Sequence, residues 1–302
     1  MHHNDGNIPV LISRGYSLAK AWEESLIDLY TDGGEVATQY DGPGDRLSRD
    51  ATHIVIVGKP SSEPAIHRAF PGGLDALEEY RLEVVDGIKD HWVRNPLVPD
   101  DTRWDYTYHN RLTAYKMYAV VEDKLGPATS NIGVRPVLVN QIADLIDALT
   151  DCHYTRRATV STWNQNTDPG ISDPPCLQSI WCRVLKDSED QYVLNMNVRF
   201  RSRDAYDAAF MNMWALICLM EEIAKKLSER YGSFVRLGRY MDQSDSYHIY
   251  GRRLDHFEDG FLKLIKDRSF EDRTWTREFA QPFFDEARPK IMEKVKEYDE
   301  RK

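Results

Sequence analysis

Long apolar runs, an excess of positive charge and closely spaced cysteines are all missing from this chain of 302 residues. No stretch approaches the roughly 20 apolar residues that a membrane helix needs. The formal net charge of −10 argues against broad nucleic-acid binding, because such binding needs a basic surface. Residues 1–5 lack the basic-then-apolar shape of a signal peptide, so we expect a cytoplasmic protein.

Cysteine is also scarce, with only Cys152, Cys176, Cys182 and Cys218 in the chain. These four lack the paired spacing of a zinc site, and they are too few for a disulfide scaffold. We therefore expect no metal site, reduced thiols, and three of the four cysteines packed inertly in the core.

Helical and strand patterns alternate irregularly along the chain. Apolar spacing predicts helices over 16–33, 74–90, 134–150 and 209–230, and a charged, helix-prone tail from about residue 269. Strands are predicted over 53–57, 156–163, 177–186, 192–200, 234–237 and 248–250. Since no regular βαβ repeat appears, we predict an α+β fold with helices packed on a large mixed, mainly antiparallel sheet.

Cys176 follows a stiff pair of prolines, Pro174 and Pro175, at the start of a predicted strand. A lone cysteine is more often a small buried apolar residue than a nucleophile. Here the prolines can hold the thiol outward, but a nucleophilic cysteine also needs nearby positive charge to favour its thiolate. Arg201 would supply that charge if the strands 177–186 and 192–200 lie side by side.

Side chains suited to a phosphate gather in two segments. Arg201 and Ser202 follow one predicted strand, and Arg156 and Arg157 precede another. Arginine can bind a phosphate in bidentate fashion, and serine adds a further hydrogen bond. Each group alone is as readily a solvated surface residue, but four in one fold favour a phosphate pocket beside an electrophilic substrate.

Three further polar residues suit a nucleoside. Asn212 lies among apolar residues at the start of the longest apolar helix, and its amide offers a donor and an acceptor to a heterocyclic base. His248 and Tyr250 fall on one face of a strand and suit a sugar hydroxyl. The plainer alternatives are a helix-start asparagine and a half-buried strand with polar ends.

In combination, these residues resemble the thymidylate synthase family. The matching segments keep their order and spacing over 154–250, and they are Tyr154-Thr155-Arg156-Arg157, Ser161-Thr162-Trp163-Asn164, Asp173-Pro174-Pro175-Cys176, Phe200-Arg201-Ser202-Arg203-Asp204, the Asn212 helix and His248-Ile249-Tyr250. The Pro-Pro-Cys-Leu wording and the segment 107–112 look most like the divergent, archaeal-type branch. The first 100 residues match only in outline.

The resemblance implies a single thymidylate-synthase-like catalytic domain over 1–302 and covalent chemistry on a pyrimidine. Cys176 would add to C6 of a pyrimidine nucleoside 5′-monophosphate, and C5 would then attack the one-carbon unit of 5,10-methylenetetrahydrofolate. Arg201 and Ser202 would hold the 5′-phosphate, and Asn212 would read the base edge. The sugar would lie against the two side chains of the 248–250 segment.

The same resemblance implies a two-fold homodimer, in which Arg156 and Arg157 reach the phosphate at the neighbouring site. Asp204 would support the folate or the base through a hydrogen bond, and Tyr108 would lie near the reacting centre. The family also uses a glutamate that organises water and protons at the base. Glu79 and Glu83 are both candidates, and the sequence does not choose between them.

The chain departs from the family pattern in ways that bear on the product. Leu177 stands where a histidine commonly follows the nucleophile, and residues 207–209 lack an expected glycine. The charged segment 297–302 is poorly suited to a dry lid over the folate. A wet site would let water, rather than hydride, capture the exocyclic methylene, so we expect a hydroxymethylase of the CMP/dCMP type.

Three alternatives stay open at this point. The first is a methyl-forming thymidylate synthase acting on dUMP, because the Asn212 amide suits uracil and can rotate to suit either base. The second is a non-catalytic nucleotide-binding relative on the same scaffold. The third, ranked last, is a cysteine hydrolase with His248 as its base.

Overall fold

An eight-stranded mixed sheet and the helices packed on it form the framework of the protein. A computed structural model describes residues 6–94, 101–126 and 129–300, without the side chains of 121–126, 129–131 and 298–300. The strands are β1 (Val10–Gly15), β2 (Gly34–Val36), β3 (Ser48–Val57), β4 (Ile66–His67), β5 (Tyr115–Gly126), β6 (Thr129–Val139), β7 (Thr159–Ser161), β8 (Leu177–Lys186), β9 (Tyr192–Phe200), β10 (Arg203–Asp204), β11 (Val235–Ile249) and β12 (Thr274–Trp275).

The helices differ greatly in length. They are α1 (Leu18–Asp32), α2 (Leu74–Arg81), α3 (Tyr108–Thr113), α4 (Gln141–Asp151), α5 (Ala209–Tyr231), α6 (Leu254–His256), α7 (Lys263–Asp267) and α8 (Arg277–Glu300). A π-helical turn, Leu82–Asp86, extends α2 and stops at Gly87, whose φ is +67°. A Cβ at this position would lie 2.2 Å from Nδ1 of His109, so both the backbone angle and the packing require glycine.

The main sheet runs in the order β1-β3-β11-β9-β8-β7, with β2 beside β3 and β10 beside β11. The pairs β1–β3, β9–β11 and β10–β11 are parallel, whereas β2–β3, β3–β11, β8–β9 and β7–β8 are antiparallel. The predicted α+β fold with helices on a large mixed sheet is confirmed. The strands 177–186 and 192–200 are neighbours, as the proposed contact between Cys176 and Arg201 requires.

Three predicted elements were wrong in their bounds. Residues 134–139 belong to β6, which pairs with β5, and the helix begins only at Gln141. Pro136 explains the error, because proline removes a hydrogen bond and clashes inside a helix. The two short strands predicted over 234–237 and 248–250 form one continuous strand, β11, with irregular register after Leu237 and Ser244.

The longest helix that the structure describes in full, α5, packs on β11 and places residue 212 in its first turn. Helix α2 packs against both α5 and α8. Residues 79–83, at the end of α2 and the start of the π-helical turn, therefore lie between these two helices. Within the described ranges, we find no helix whose length and apolar character would let it cross a membrane. The structure does not describe residues 1–5, 95–100, 301 and 302. The expectations of a missing signal peptide and of a charged C-terminal segment partly depend on residues in this set.

Candidate active site

Cys176 and Arg201 lie opposite each other at one end of two paired antiparallel strands. Cys176 immediately precedes β8 and Arg201 immediately follows β9, with Leu177 opposite Phe200 in the register. The backbone N–H of Arg201 donates to the Cys176 carbonyl over 2.8 Å. The sheet therefore brings together the two groups on which the predicted chemistry depends.

The Arg201 guanidinium donates hydrogen bonds to the carbonyls of the two prolines that precede Cys176. Its Nε donates to the Pro175 carbonyl over 3.1 Å, and its Nη2 donates to the Pro174 carbonyl over 2.6 Å. Among the described residues, no carboxylate pairs with this guanidinium, so its positive charge is not neutralised. The loop is thus fixed while the cation stays available to an anion.

The Cys176 thiol is half-buried and packs against the edge of the core. Burial raises the pKa of this thiol, and the Arg201 guanidinium lowers it by less than burial raises it. The predicted thiolate-favouring charge is therefore present, but it does not outweigh the loss of water around the sulfur. The resting thiol holds its proton at neutral pH.

Tyr108 lies beside Cys176, as the family resemblance implies. It begins α3, which is capped by the Thr107 side chain accepting from the Asn110 N–H over 3.0 Å. Its hydroxyl accepts from the backbone N–H of Leu177 over 3.2 Å. Burial, followed by the nearby Cys176, raises the pKa of Tyr108, so this hydroxyl is a neutral donor and acceptor next to the sulfur.

Ser202 and Asp204 follow Arg201 in the turn that leads into β10. The Ser202 hydroxyl has no hydrogen-bond partner among the residues that the model describes, which leaves it free to bind a ligand. The Asp204 carboxylate accepts from the N–H groups of Tyr206 and Asp207 over 3.0 and 2.7 Å. Burial raises the pKa of Asp204 to about 6 despite these two donors.

His248 presents an unpaired ring nitrogen next to this turn. Strand β10 pairs with β11 so that Asp204 lies opposite His248. Nδ1 of His248 lies 3.3 Å from the Ser246 hydroxyl, whereas its buried Nε2 has no partner in the described structure. Burial lowers the pKa of His248 to about 4, so the ring is neutral. A buried orphan of this kind is what a ligand hydroxyl would satisfy.

Tyr250 stands at the end of the same strand, with its ring centre 4.6 Å from that of His248. Their adjacency agrees with the predicted grip on a sugar. No hydrogen bond joins Cys176 and His248 in the part of the chain that the model describes. The cysteine hydrolase, which needs that contact, gains no support.

Asn212 is held by a residue that the sequence analysis missed. Its Nδ2 donates to the hydroxyl of Tyr80 over 2.6 Å. Burial, followed by the nearby Tyr108 and Glu83, raises the pKa of Tyr80 well above its usual value, which keeps the hydroxyl protonated. The two residues are 132 positions apart, so no spacing rule could connect them.

Both candidate glutamates pair with one lysine. Lys89 is 7% exposed and lies 2.7 Å from Glu79 and 2.9 Å from Glu83. Burial raises the pKa of Glu79, but Lys89 and Lys294 of α8 outweigh it and lower the pKa overall. Glu83 lies near the Tyr80 hydroxyl, whereas Glu79 is tied to α8 through Lys294 at 3.0 Å. Of the two candidates, Glu83 is the one that acts electrostatically on the Tyr80 hydroxyl, to which Asn212 is bonded.

Arg156 and Arg157 are both exposed just before β7, the edge strand of the sheet. Within the described residues, neither guanidinium pairs with a carboxylate. Their reach into a neighbouring subunit stays a prediction, because the structure contains one chain.

Comparison with known proteins agrees with this geometry. The family model described as "Thymidylate synthase" matches residues 91–271, which is more than half of the chain. The chain belongs to the thymidylate synthase family. Members of this family use 5,10-methylenetetrahydrofolate as their one-carbon donor.

Archaeal members of the family are similar over most of their length. A protein of Methanocaldococcus jannaschii named "Putative thymidylate synthase" is 28% identical over 256 residues, which cover 83% of this chain and 96% of that protein. A protein of the same name from Methanococcoides burtonii is 28% identical over 231 residues, covering 71% and 98%. Their archaeal source agrees with the branch that the sequence wording indicates.

The fold is also that of the family. The solved thermostable thymidylate synthase A from Bacillus subtilis superposes with a TM-score of 0.53 at 17% identity, covering 82% of this chain and 84% of that one. The predicted thymidylate-synthase-like fold is confirmed. At this identity, the likeness concerns the fold alone.

Proposed function

We propose that this protein transfers a one-carbon unit to C5 of a pyrimidine nucleoside 5′-monophosphate through a bond between Cys176 Sγ and C6. The single observation that carries this proposal is the Cys176 thiol held beside the Arg201 guanidinium, which pairs with no carboxylate of the described residues. In a family of one-carbon transferases, that pairing supplies a nucleophile and an anion site within one loop. The proposal takes the chain as one catalytic domain.

The nucleotide is held by groups on three strand ends. Arg201 and Ser202 bind the 5′-phosphate, and in a homodimer Arg156 and Arg157 of a second copy complete that site. His248 donates or accepts through its orphan Nε2 at a sugar hydroxyl, with Tyr250 beside it. The sugar site and the phosphate site are adjacent because β10 joins the Arg201 turn to β11.

The base is read and protonated by neutral groups. Asn212 offers its amide to the base edge, and Tyr108 keeps its hydroxyl proton beside the sulfur. Glu83, with Glu79 behind it, organises water near the ring. Because the resting thiol is protonated, attack on C6 requires transfer of the thiol proton when the nucleotide is in place.

The residues present also suit the family cofactor. Methylenetetrahydrofolate supplies a one-carbon unit at the oxidation level of formaldehyde. Asp204 offers it a buried carboxylate whose pKa of about 6 leaves it ionised at neutral pH, as an acceptor for N–H groups. This fits the role that the family resemblance implies for Asp204.

We further propose that the product is a 5-hydroxymethyl pyrimidine nucleotide, with CMP and dCMP as the first substrates to examine. The observation that supports this is the charged cluster of Lys89, Glu79 and Glu83 beside the base-reading residues, because ionised groups retain water. Once C5 has lost its proton and tetrahydrofolate has left, water adds to the exocyclic methylene on C5, and the Cys176 thiolate leaves C6 to restore the ring double bond, without a redox change. The second candidate is methyl formation on dUMP, in which hydride moves from tetrahydrofolate and dihydrofolate leaves.

One specific contact favours the second candidate. Since Asn212 Nδ2 donates to Tyr80, the amide oxygen is left to accept from the N3–H of a uracil. The hydroxymethyl and methyl products therefore have to be distinguished by mass.

The test uses the intact protein with CMP, dCMP, UMP and dUMP, each carrying tritium at C5, with and without methylenetetrahydrofolate. We expect tritium release and a product heavier by one hydroxymethyl group, with no dihydrofolate absorbance. Formation of dihydrofolate would instead indicate the 5-methyl product. Nucleotide binding that survives Cys176→Ala, without any exchange by the native protein, would instead indicate a non-catalytic relative.

A further inference from the structure

Tyr80 and Asn212 form a contact that joins two helices next to the nucleophile. Tyr80 lies in the last turn of α2 and Asn212 in the first turn of α5. The Nδ2–Oη distance of 2.6 Å indicates a strong, well-placed hydrogen bond. The partner of a base-reading amide is itself a group with two hydrogen-bonding roles, since a phenol both donates and accepts.

The orientation of a carboxamide decides which base it can read. Uracil presents an N3–H donor and an O4 acceptor, so it needs the amide oxygen opposite N3 and the amide N–H opposite O4. Cytosine presents an N3 acceptor and an N4–H donor, so it needs the amide turned by half a rotation. The amide atom that faces Tyr80 is exchanged when the amide turns.

The surroundings of Tyr80 limit the roles that its hydroxyl can take. Burial and the neighbouring Tyr108 and Glu83 keep it protonated. The hydrogen bond that the structure shows for this hydroxyl is the one it accepts from Asn212 Nδ2, so one of its lone pairs is occupied by an amide N–H. A hydroxyl in that role favours the orientation in which the Asn212 amide oxygen faces away from Tyr80.

We propose that Tyr80 is the positioning residue that selects the pyrimidine base, by fixing which way the Asn212 amide faces. The inference rests on the proposed function, because it assumes that Asn212 reads a base beside Cys176. Tyr80 itself acts through Asn212 and not on the reacting atoms. Base choice in this chain is then a property of the α2–α5 contact.

The experiment compares C5 tritium release from dUMP and dCMP by the native protein and by Tyr80→Phe. Removing the hydroxyl frees the amide to turn, so we expect the ratio of the two kcat/KM values to move towards one by about tenfold or more. A structural defect would lower both rates alike and leave the ratio unchanged. Tyr231→Phe, which removes a hydroxyl bonded to the Leu149 carbonyl over 2.6 Å, is the matched control and should keep the native ratio.

A second variant closes the cycle. The carboxylate of Asn212→Asp has two equivalent oxygens and no orientation to fix, so adding Tyr80→Phe to it should change the ratio by less than about twofold. An unchanged ratio in Tyr80→Phe alone, or a native protein with no preference, would overturn the inference while the proposed function stands. Absence of exchange with every nucleotide in the native protein would instead remove the proposed function, and the inference with it.

Discussion

Arg201 and Arg203 are only two residues apart, but their guanidinium groups have different partners. Arg203 is 3% exposed, and its guanidinium forms a double contact with the Asp242 carboxylate in the core. Its charge is fully matched, and the aromatic rings of Phe200 and Tyr247 cover it. Among the described residues, the Arg201 guanidinium bonds to neutral carbonyls and pairs with no carboxylate at the strand end.

The difference lies in the partner and not in the residue type. An arginine with a buried carboxylate contributes to folding, because its removal would leave that carboxylate uncompensated. An arginine held by carbonyl groups is positioned without being neutralised, so it can still bind an anion. The same distinction separates Arg201 from Arg46, which pairs with Asp255 and Glu258 at 2.7 Å each.

The largest effect is expected at the thiol that Arg201 flanks. Cys176→Ala should reduce C5 tritium release by at least about 10⁴-fold, because no other group can form the C6 bond. Nucleotide binding, measured by calorimetry, should persist because Arg201 remains. Cys152→Ala is the control and should retain native exchange; appreciable turnover by Cys176→Ala would mean that another nucleophile acts.

The core side of the comparison is tested by Arg203→Met. We expect a loss of about 3–5 kcal/mol in the free energy of unfolding, measured by urea denaturation, since Asp242 is left buried and unpaired. Adding Asp242→Leu should recover much of that loss. If Arg201→Met destabilised the protein as strongly as Arg203→Met, the proposed division between the two arginines would be wrong.

The site side is tested by nucleotide affinity in Arg201→Met. Loss of a charge-assisted phosphate contact should weaken binding by about 2–4 kcal/mol, or roughly 30- to 1000-fold in Kd. Arg199→Met is a matched control, because Arg199 lies two residues before Arg201, on β9, and pairs with the partly exposed Asp245. Equal losses in the two variants would show that general charge, and not the Arg201 position, governs affinity.

The smallest effect is a pH dependence of stability from Asp204. Its folded pKa of about 6 lies above the ordinary value near 4, so the native state binds the extra proton between these values. Stability from this carboxyl is therefore present below about pH 4 and is lost as the pH rises through about 6. Asp204→Asn should flatten the urea midpoint over that range, and an unaltered pH profile would contradict this assignment.

The strand ends of the site were predictable from the sequence because they depend on local patterns. Alternating apolar residues define β8 and β9, and a short connection between them makes them antiparallel neighbours, which brings Cys176 to Arg201. The family resemblance then added Tyr108, whereas His248 followed from its place on a strand face. These contacts follow from element order and register, which a single chain records directly.

Other features depend on partners distant in sequence. Strand β11 was divided in two because Asp242 and Ser244, both fully buried, interrupt its apolar pattern, and the Arg203 that compensates Asp242 lies 39 positions away. The sequence alone does not distinguish Tyr80 from other residues of its helix, because its contact with Asn212 forms only when α5 packs against α2. The choice between Glu79 and Glu83 likewise required the positions of Lys89 and Lys294.

The burial of the Cys176 sulfur also affects how readily the thiol reacts with other chemicals. Because burial raises its pKa, the empty site carries a protonated thiol, which reacts sluggishly with peroxides and alkylating agents. Under the proposed function, we expect this reactivity to rise when a bound nucleotide changes the surroundings of the sulfur. The packing that positions Cys176 would then also protect the unliganded protein against chemical damage.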